Sequence, residues 1–323
     1  MNRKKAIGYI TAFSFVLLVV CQYSTAGPHP SNASDFSKLI VKLVRNKHNE
    51  EALLKINEFL SYWGEYGGGP VAWGNNVKGI LLKDMKLYKG AIECYKIADK
   101  ESEDDKFRAH VNSNIGNLYS AMGKYSEALT YFEKAIKLFP DNEEIFKLKM
   151  AYFVYLPMGK MKEAEEIYLS LLPELKTLDT FTLSETDKGH ATCVSSVIAL
   201  QLNKKKDAID LCRLCIERIT KFSYDMICLG CAQQVATLGY MEEADKYYKL
   251  ANKENVTPAA LALYFHLRGD DHKAEEYLKK SFEEMKSDEA RKNWRQDLQL
   301  DTRYPVDSWE TARDKPWFKK FLE

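Results

Sequence analysis

Net charge is the first thing this sequence lacks. Forty-seven Lys and Arg stand against 46 Asp and Glu, and setting aside Arg3, Lys4 and Lys5 leaves 44 against 46. A near-neutral chain without long runs of like charge has no field with which to collect nucleic acid or anionic lipid, so no nucleic-acid partner is expected. Proline and glycine are sparse, at 9 and 16 of 323 residues, while 46% of the chain is apolar. That excludes a disordered or collagen-like polymer and fits amphipathic helix. Signatures of common enzyme sites are missing too: there is no His-Glu-x-x-His, Gly-x-Ser-x-Gly, phosphate loop or dinucleotide fingerprint. The six histidines, at 29, 48, 110, 190, 266 and 272, do not fall at metal-ligand spacing. Paired acids such as Glu143-Glu144, Glu165-Glu166 and Glu275-Glu276 fit solvated helix faces. His190 and Cys193 in "GHATC" have no identifiable orienting carboxylate, which a nucleophile and base would need. The chain is therefore expected to have no catalytic residues and no cofactor.

One end of the chain departs from the rest. "MNRKK" is a basic start, "AIGYITAFSFVLLVV" an apolar run of signal-peptide length, and "YSTAG" a small-x-small cleavage site after Ala26. Residues 1–26 are thus expected to be an export signal, with 27–35 as a linker. The mature chain would be periplasmic, secreted or membrane-anchored. Two alternatives stay open: an uncleaved anchor, for which the run from Ala6 to Cys21 is slightly short, and lipidation of Cys21 in "LVVC", where Val20 replaces the small residue usual in lipoprotein signals. Any membrane contact is expected only through such an N-terminal anchor. Glycosylation tripeptides stand at Asn32 and Asn255.

The body of the chain repeats. In "AHVNSNIGNLYSAMGKYSEALTYFEKAIKLFP", residues 109–140, small residues at Gly116, Ala128 and Ala135 alternate with Tyr119 and Phe132, with Gly123 between the two segments. Two antiparallel helices that cross closely need small residues at the crossing and large ones flanking it, with a glycine free to take positive φ at the turn. The unit recurs about the alanines at 52, 91, 128, 164, 208, 244 and 274. Five residues before the anchor stand Gly123, Gly159, Gly239 and Gly269, or Asn203, which tolerates left-handed geometry; Lys47 and Lys86 break that pattern. Four residues after it stand Tyr95, Phe132, Tyr168 and Tyr248, and seven after it Ala98, Ala135 and Ala251. The Gly-rich stretch "SYWGEYGGGPVAW", residues 61–73, is expected to be a loop, and "PELKTLDTFTLSETDKGH" a longer connection or an extended helix.

These positions resemble the tetratricopeptide repeat family over roughly residues 36–286. The resemblance implies an all-α fold, a right-handed superhelical solenoid of about seven helix-turn-helix repeats. Residues 287–323, which hold three of the five Trp, would be a C-terminal helical cap. It also implies a protein or peptide partner, held in a concave groove lined by the first helix of each repeat. The family's offsets place Trp73, Asn76, His110, Ser113, Asn117, Lys149 and Phe153 on that groove. The basic residues of a carboxylate clamp are absent, replaced by Asn76 and Ser113 with Ile80 and Met150 nearby. The alternative use is a lipid-anchored envelope assembly factor that docks partners through its convex face or its cap.

Four cysteines form two Cys-x-x-Cys pairs, 212/215 and 228/231. In repeat register they fall on inward-facing positions of consecutive antiparallel helices, with Cys212 level with Cys231 and Cys215 with Cys228. Disulfides in those two pairings suit an oxidising compartment. Buried thiols and a zinc site remain open, although no metal site is assigned. Cys94 and Cys193 read as isolated.

Overall fold

Packing follows the repeat register closely. Ala52, Ala91, Ala128, Ala164, Ala208, Ala244 and Ala274 are all at 0% exposure, and so are Tyr95, Phe132 and Tyr168 four residues beyond their anchors. The computed structural model describes residues 30–45, 48–176, 185–219, 225–300 and 309–322, and among these there is no strand. The 1–29 segment, with its expected signal, Cys21 and the first three residues of the expected linker, lies outside the described residues, whereas residues 30–35, expected to be linker, are helical.

The α-helices are α1 Pro30–Arg45, α2 Asn49–Trp63, α3 Gly68–Asp84, α4 Tyr88–Glu101, α5 Asp105–Ala121, α6 Tyr125–Leu138, α7 Glu143–Met150, α8 Met161–Lys176 and α9 Glu185–Gln201. They continue as α10 Lys205–Ile219, α11 Asp225–Thr237, α12 Met241–Leu250, α13 Pro258–Leu267, α14 Asp271–Glu283, α15 Asp288–Leu300, α16 Glu310–Arg313 and α17 Pro316–Leu322. The chain divides into two compact bodies, one holding residues up to Tyr119 with Ser126–Asp141, the other Ser120–Tyr125 with the residues from Asn142 onward. Within the first, α1 packs on α2, α2 on α3 and α3 on α4. A Cβ on Gly116 of α5 would meet the Phe132 ring of α6 at 3.0 Å. Within the second, α7 pairs with α8, α9 with α10, α11 with α12 and α13 with α14. This is the stacked helix-pair arrangement of a helical solenoid.

Turn chemistry agrees with the sequence and adds to it. Gly123, Gly159, Gly239 and Gly269 take φ of 72°, 72°, 88° and 79°, and Asn203 takes 58°. Lys86 adopts the same left-handed backbone at φ 62°. The turn there is as sharp as the others and closes with the same bonds, Lys86 N–H to the Lys83 carbonyl at 3.0 Å and Leu87 N–H to the Leu82 carbonyl at 2.7 Å. The lysine bears the steric cost that glycine avoids.

The expected loop at 61–73 shrinks to four residues, because α2 runs to Trp63 and α3 starts at Gly68. Gly67 and Gly68, at φ 61° and 66°, turn the chain, and the Gly68 N–H donates to Glu101 Oε2 at 3.1 Å. Helix α8 continues through Pro173 to Lys176; residues 177–184 are not described. Ala151–Tyr155 forms a π-turn after α7, with Leu156 N–H donating to the Ala151 carbonyl at 3.0 Å.

Near the C-terminus, Trp309 and Phe318 are 1% and 0% exposed and their rings lie 5.0 Å apart. His266 of α13 bonds Asp271 Oδ1 through Nδ1 and Thr311 Oγ1 through Nε2, both at 2.8 Å, and its ring stacks on Trp309. The Lys315 ammonium pairs with Asp271. Trp294 of α15 donates its indole N–H to Ser281 Oγ at 2.9 Å. No helix among the described residues is long and apolar enough to cross a membrane.

Candidate functional site

The groove candidates on α3 are not surface residues. Nearly every residue of α3 from Val71 to Leu82 is buried. Trp73 is 1% exposed, set edge-on to Phe59 with ring centroids 5.0 Å apart and sharing a core with Val77 and Leu81. The physical reason is the pair of helix-facing glycines. A Cβ on Gly74 would come within 2.6 Å of Leu60 Cδ2, and one on Gly79 within 2.6 Å of Tyr95 Cε1, so α2 and α4 close over α3 from both sides. Asn76 is 6% exposed and its Oδ1 has no partner. Ser113 on α5 is fully buried.

His110 and Asn117 are half-exposed, and Asn114 between them shares that exposure. The spacing 110, 114, 117 puts one imidazole and two amides on a single stripe of α5. His110 lies against Phe139, ring centroids 6.3 Å apart, and the Oδ1 of Asn117 is buried without a partner. On the other side of α5 from this stripe, Asp99 of α4 is a polar node that sequence reading passed over. It accepts from Arg108 Nε at 3.3 Å, Asn112 Nδ2 at 2.8 Å and Lys134 Nζ at 2.6 Å. Nothing in the local sequence marks Asp99, because its three partners come from two other helices. In the second body, Lys149 is half-buried with its ammonium 5.8 Å from the Phe146 ring centre, and Phe153, in the π-turn, packs edge-on against Tyr152 at 4.7 Å.

The cysteines group differently from the pairs read from sequence. No disulfide joins any of the six described cysteines. The Sγ atoms of Cys193 on α9, Cys215 on α10 and Cys231 on α11 lie within 4.8 Å of one another. Cys193, which the sequence presented as isolated, is therefore a member of the cluster, and Cys228 is not one of the three. Positions 228 and 231 sit about 60° apart around their helix, so the pair does not aim at one point, while α9 approaches α10 and α11 from its own side. The Cys231 thiol still interacts with that of Cys212, as level pairing expects, and with those of Cys193 and Cys215. Cys215 Sγ reaches the Gly189 carbonyl at 3.4 Å, and Cys212 Sγ reaches Gln234 Oε1 at 3.5 Å. Ser196 Oγ also donates to that oxygen, at 2.8 Å.

The hydrogen bond with Cys193 and burial push Cys215 well above the ordinary thiol range against a lowering bond with Cys231, and bonds with Cys193, Cys212 and Cys215, then burial, do the same for Cys231. Burial, with Asp225 beside it, pushes Cys228 up to about 11. Neutral, protonated thiols are the reverse of an activated cysteine nucleophile, whose thiolate must be stabilised. The side chain of His190 is not described.

With this geometry in place, comparison with known proteins identifies one segment directly: residues 111–142, the body of the α5–α6 hairpin, match the tetratricopeptide repeat. Over 125 residues the chain is 27% identical to intraflagellar transport protein 88 homolog of Homo sapiens, which covers 38% of this chain and 15% of that protein. Over 96 residues it is 31% identical to an uncharacterized protein, ycf37, of Guillardia theta, covering 29% of this chain and 53% of that one. The chain thus spans about half or less of the length of these relatives.

Proposed function

We propose that this tetratricopeptide-repeat chain is an exported scaffold that binds a peptide or protein partner on the first helix of its repeats. The half-exposed stripe of α5 is the observation that carries the reading: His110, Asn114 and Asn117 lie on the hairpin that matches the repeat. Amide and imidazole groups at i, i+4 and i+7 suit hydrogen bonding to the main chain of an extended segment. Lys149 and Phe153 are the equivalent positions of the second body. Trp73, Asn76 and Ser113 serve from beneath, as packing. Contact is made by shape and polar complementarity, and the reading assigns the chain no reaction.

Site-specific photo-crosslinking tests it. A photoreactive residue at 117 is compared with one at the exposed position 133 on α6. A partner labelled from 117 but not from 133, with that labelling lost on Asn114→Arg at unchanged helical circular dichroism, is the expected result. Equal labelling from both positions sinks the reading. Export rests on the basic start, apolar run and small-x-small site of residues 1–26. The lipid-anchored alternative, docking through the convex face or cap, rests on Cys21. Mass spectrometry of the mature N-terminus separates them: a chain that starts at Gly27 carries no anchor, and one that starts at a lipidated Cys21 does.

A further inference from the structure

We infer that Cys193, Cys215 and Cys231 form a binding site for one thiophilic divalent metal ion, with Zn2+ the occupant their chemistry favours. Three helices, α9, α10 and α11, each supply one sulfur, and the three sulfurs already lie within 4.8 Å of one another. Zinc–sulfur bonds of about 2.3 Å in a tetrahedron put neighbouring sulfurs about 3.8 Å apart. The cluster therefore needs to contract by about 1 Å at most, a movement that small side-chain rotations supply. Cys212, whose thiol hydrogen-bonds with that of Cys231, is the candidate fourth donor. In the metal-free form the Cys215 and Cys212 thiols donate to the Gly189 carbonyl and to Gln234 Oε1, the latter also held by Ser196, and a thiol that becomes a ligand gives up that bond with its proton. Cys193 is only partly buried and gives an ion its route in from solvent.

Donor type decides the metal. An all-sulfur set excludes the hard ions Ca2+ and Mg2+, which take oxygen ligands. Three thiolates around a divalent ion leave one negative charge, and around monovalent copper they leave two. The surroundings are Ile227, Ala232, Val235 and similar apolar side chains, where the smaller residual charge is favoured. Binding releases one proton to the buffer from each thiol that becomes a ligand, with no change of oxidation state. The ion would tie two consecutive helix pairs together at their seam, cross-linking three elements where a disulfide joins two. This inference does not depend on the partner-binding reading.

The test is a Co2+ titration of the reduced full-length chain, prepared without oxygen. One equivalent per chain should produce a thiolate-to-cobalt charge-transfer band with the visible bands of tetrahedral cobalt, and one equivalent of Zn2+ should abolish both. Band intensity should correspond to three or four thiolates. Zn2+ should also raise the midpoint of thermal unfolding. Cys193→Ser, Cys215→Ser and Cys231→Ser should each remove most of the signal, while Cys94→Ser and Cys228→Ser leave it intact. The wild-type titration decides the matter even where a variant fails to fold. A reduced, folded chain that gives no thiolate band, or a band worth two thiolates or fewer, overturns the inference. So does a signal lost with Cys228→Ser and kept with Cys193→Ser, or a disulfide among the three in the natively purified chain.

Discussion

Glycine to alanine should change stability in opposite directions at two helical positions of this protein. Gly79 lies inside α3, where an added Cβ would stand 2.6, 2.7 and 3.0 Å from Cε1, Cδ1 and Cζ of Tyr95. Ordinary carbon contacts fall at about 3.5–4.0 Å, so the overlap is about 1 Å. Tyr95 cannot yield easily, being 0% exposed and enclosed between α3 and α4. Overpacking of this kind costs about 1–3 kcal/mol, against which alanine's better helix propensity returns about 1 kcal/mol. The net effect at Gly79 is a loss of up to about 2 kcal/mol. Gly230, inside α11, has no atom within 4 Å of its added Cβ and no positive φ. There only the propensity gain of about 1 kcal/mol operates. Urea unfolding followed by helical ellipticity should lower the midpoint for Gly79→Ala and raise it for Gly230→Ala at unchanged slope. Repeating Gly79→Ala on a Tyr95→Leu background should erase most of its cost, since the clashing ring is gone. Both single variants moving the midpoint in the same direction, or undiminished cost after Tyr95→Leu, would refute the packing argument.

Other outcomes follow from the same contacts. Lys86→Gly relieves a left-handed residue and should stabilise by up to about 1 kcal/mol, less what is lost where the ammonium sits 5.9 Å over the Tyr88 ring; a lowered urea midpoint would contradict it. Asp99→Ala removes the acceptor shared by Arg108, Asn112 and Lys134 and should cost about 1–3 kcal/mol, much of it from the buried Asn112 amide; an effect under about 0.5 kcal/mol would deny the node its role. Trp309→Ala should cost about 3–5 kcal/mol by emptying a site that is 1% exposed, read as loss of the C-terminal unfolding step. Burial draws the Asp271 carboxyl upward, but the Lys315 ammonium and the His266 ring outweigh it and hold the group below its ordinary value. A carboxyl lowered on folding stabilises above its unfolded pKa of about 3.9 and loses that contribution as pH falls below about 4. The C-terminal tryptophan fluorescence should therefore change in that acid range in the wild type, and Asp271→Asn should remove this component; an identical acid profile in the variant would refute the pairing.

Helix positions and turns were readable because their causes are local. A small residue at each crossing, an aromatic four residues later and a left-handed residue five residues earlier are fixed distances along one chain. Those distances placed seven alanines, now all at 0% exposure, and the turns at Gly123, Gly159, Asn203, Gly239 and Gly269. Where local chemistry is permissive, the reading was less sharp. Lys86 takes a glycine's conformation because the flanking helices demand it, and the Gly-rich stretch 61–73 is mostly helix.

Sequence alone determined that this chain is a succession of helix pairs, one of which, residues 111–142, matches the tetratricopeptide repeat, since periodicity along a helix is a property of the segment itself. Tertiary structure decided which side chains remain open and which meet. Trp73 reads as a groove aromatic by offset, yet two glycines let helices close over it from both sides. Cys193 reads as isolated, yet it joins Cys215 and Cys231 because α9 is laid against two later helices. Burial and clustering depend on residues brought from elsewhere in the chain, and no spacing within a single segment records them.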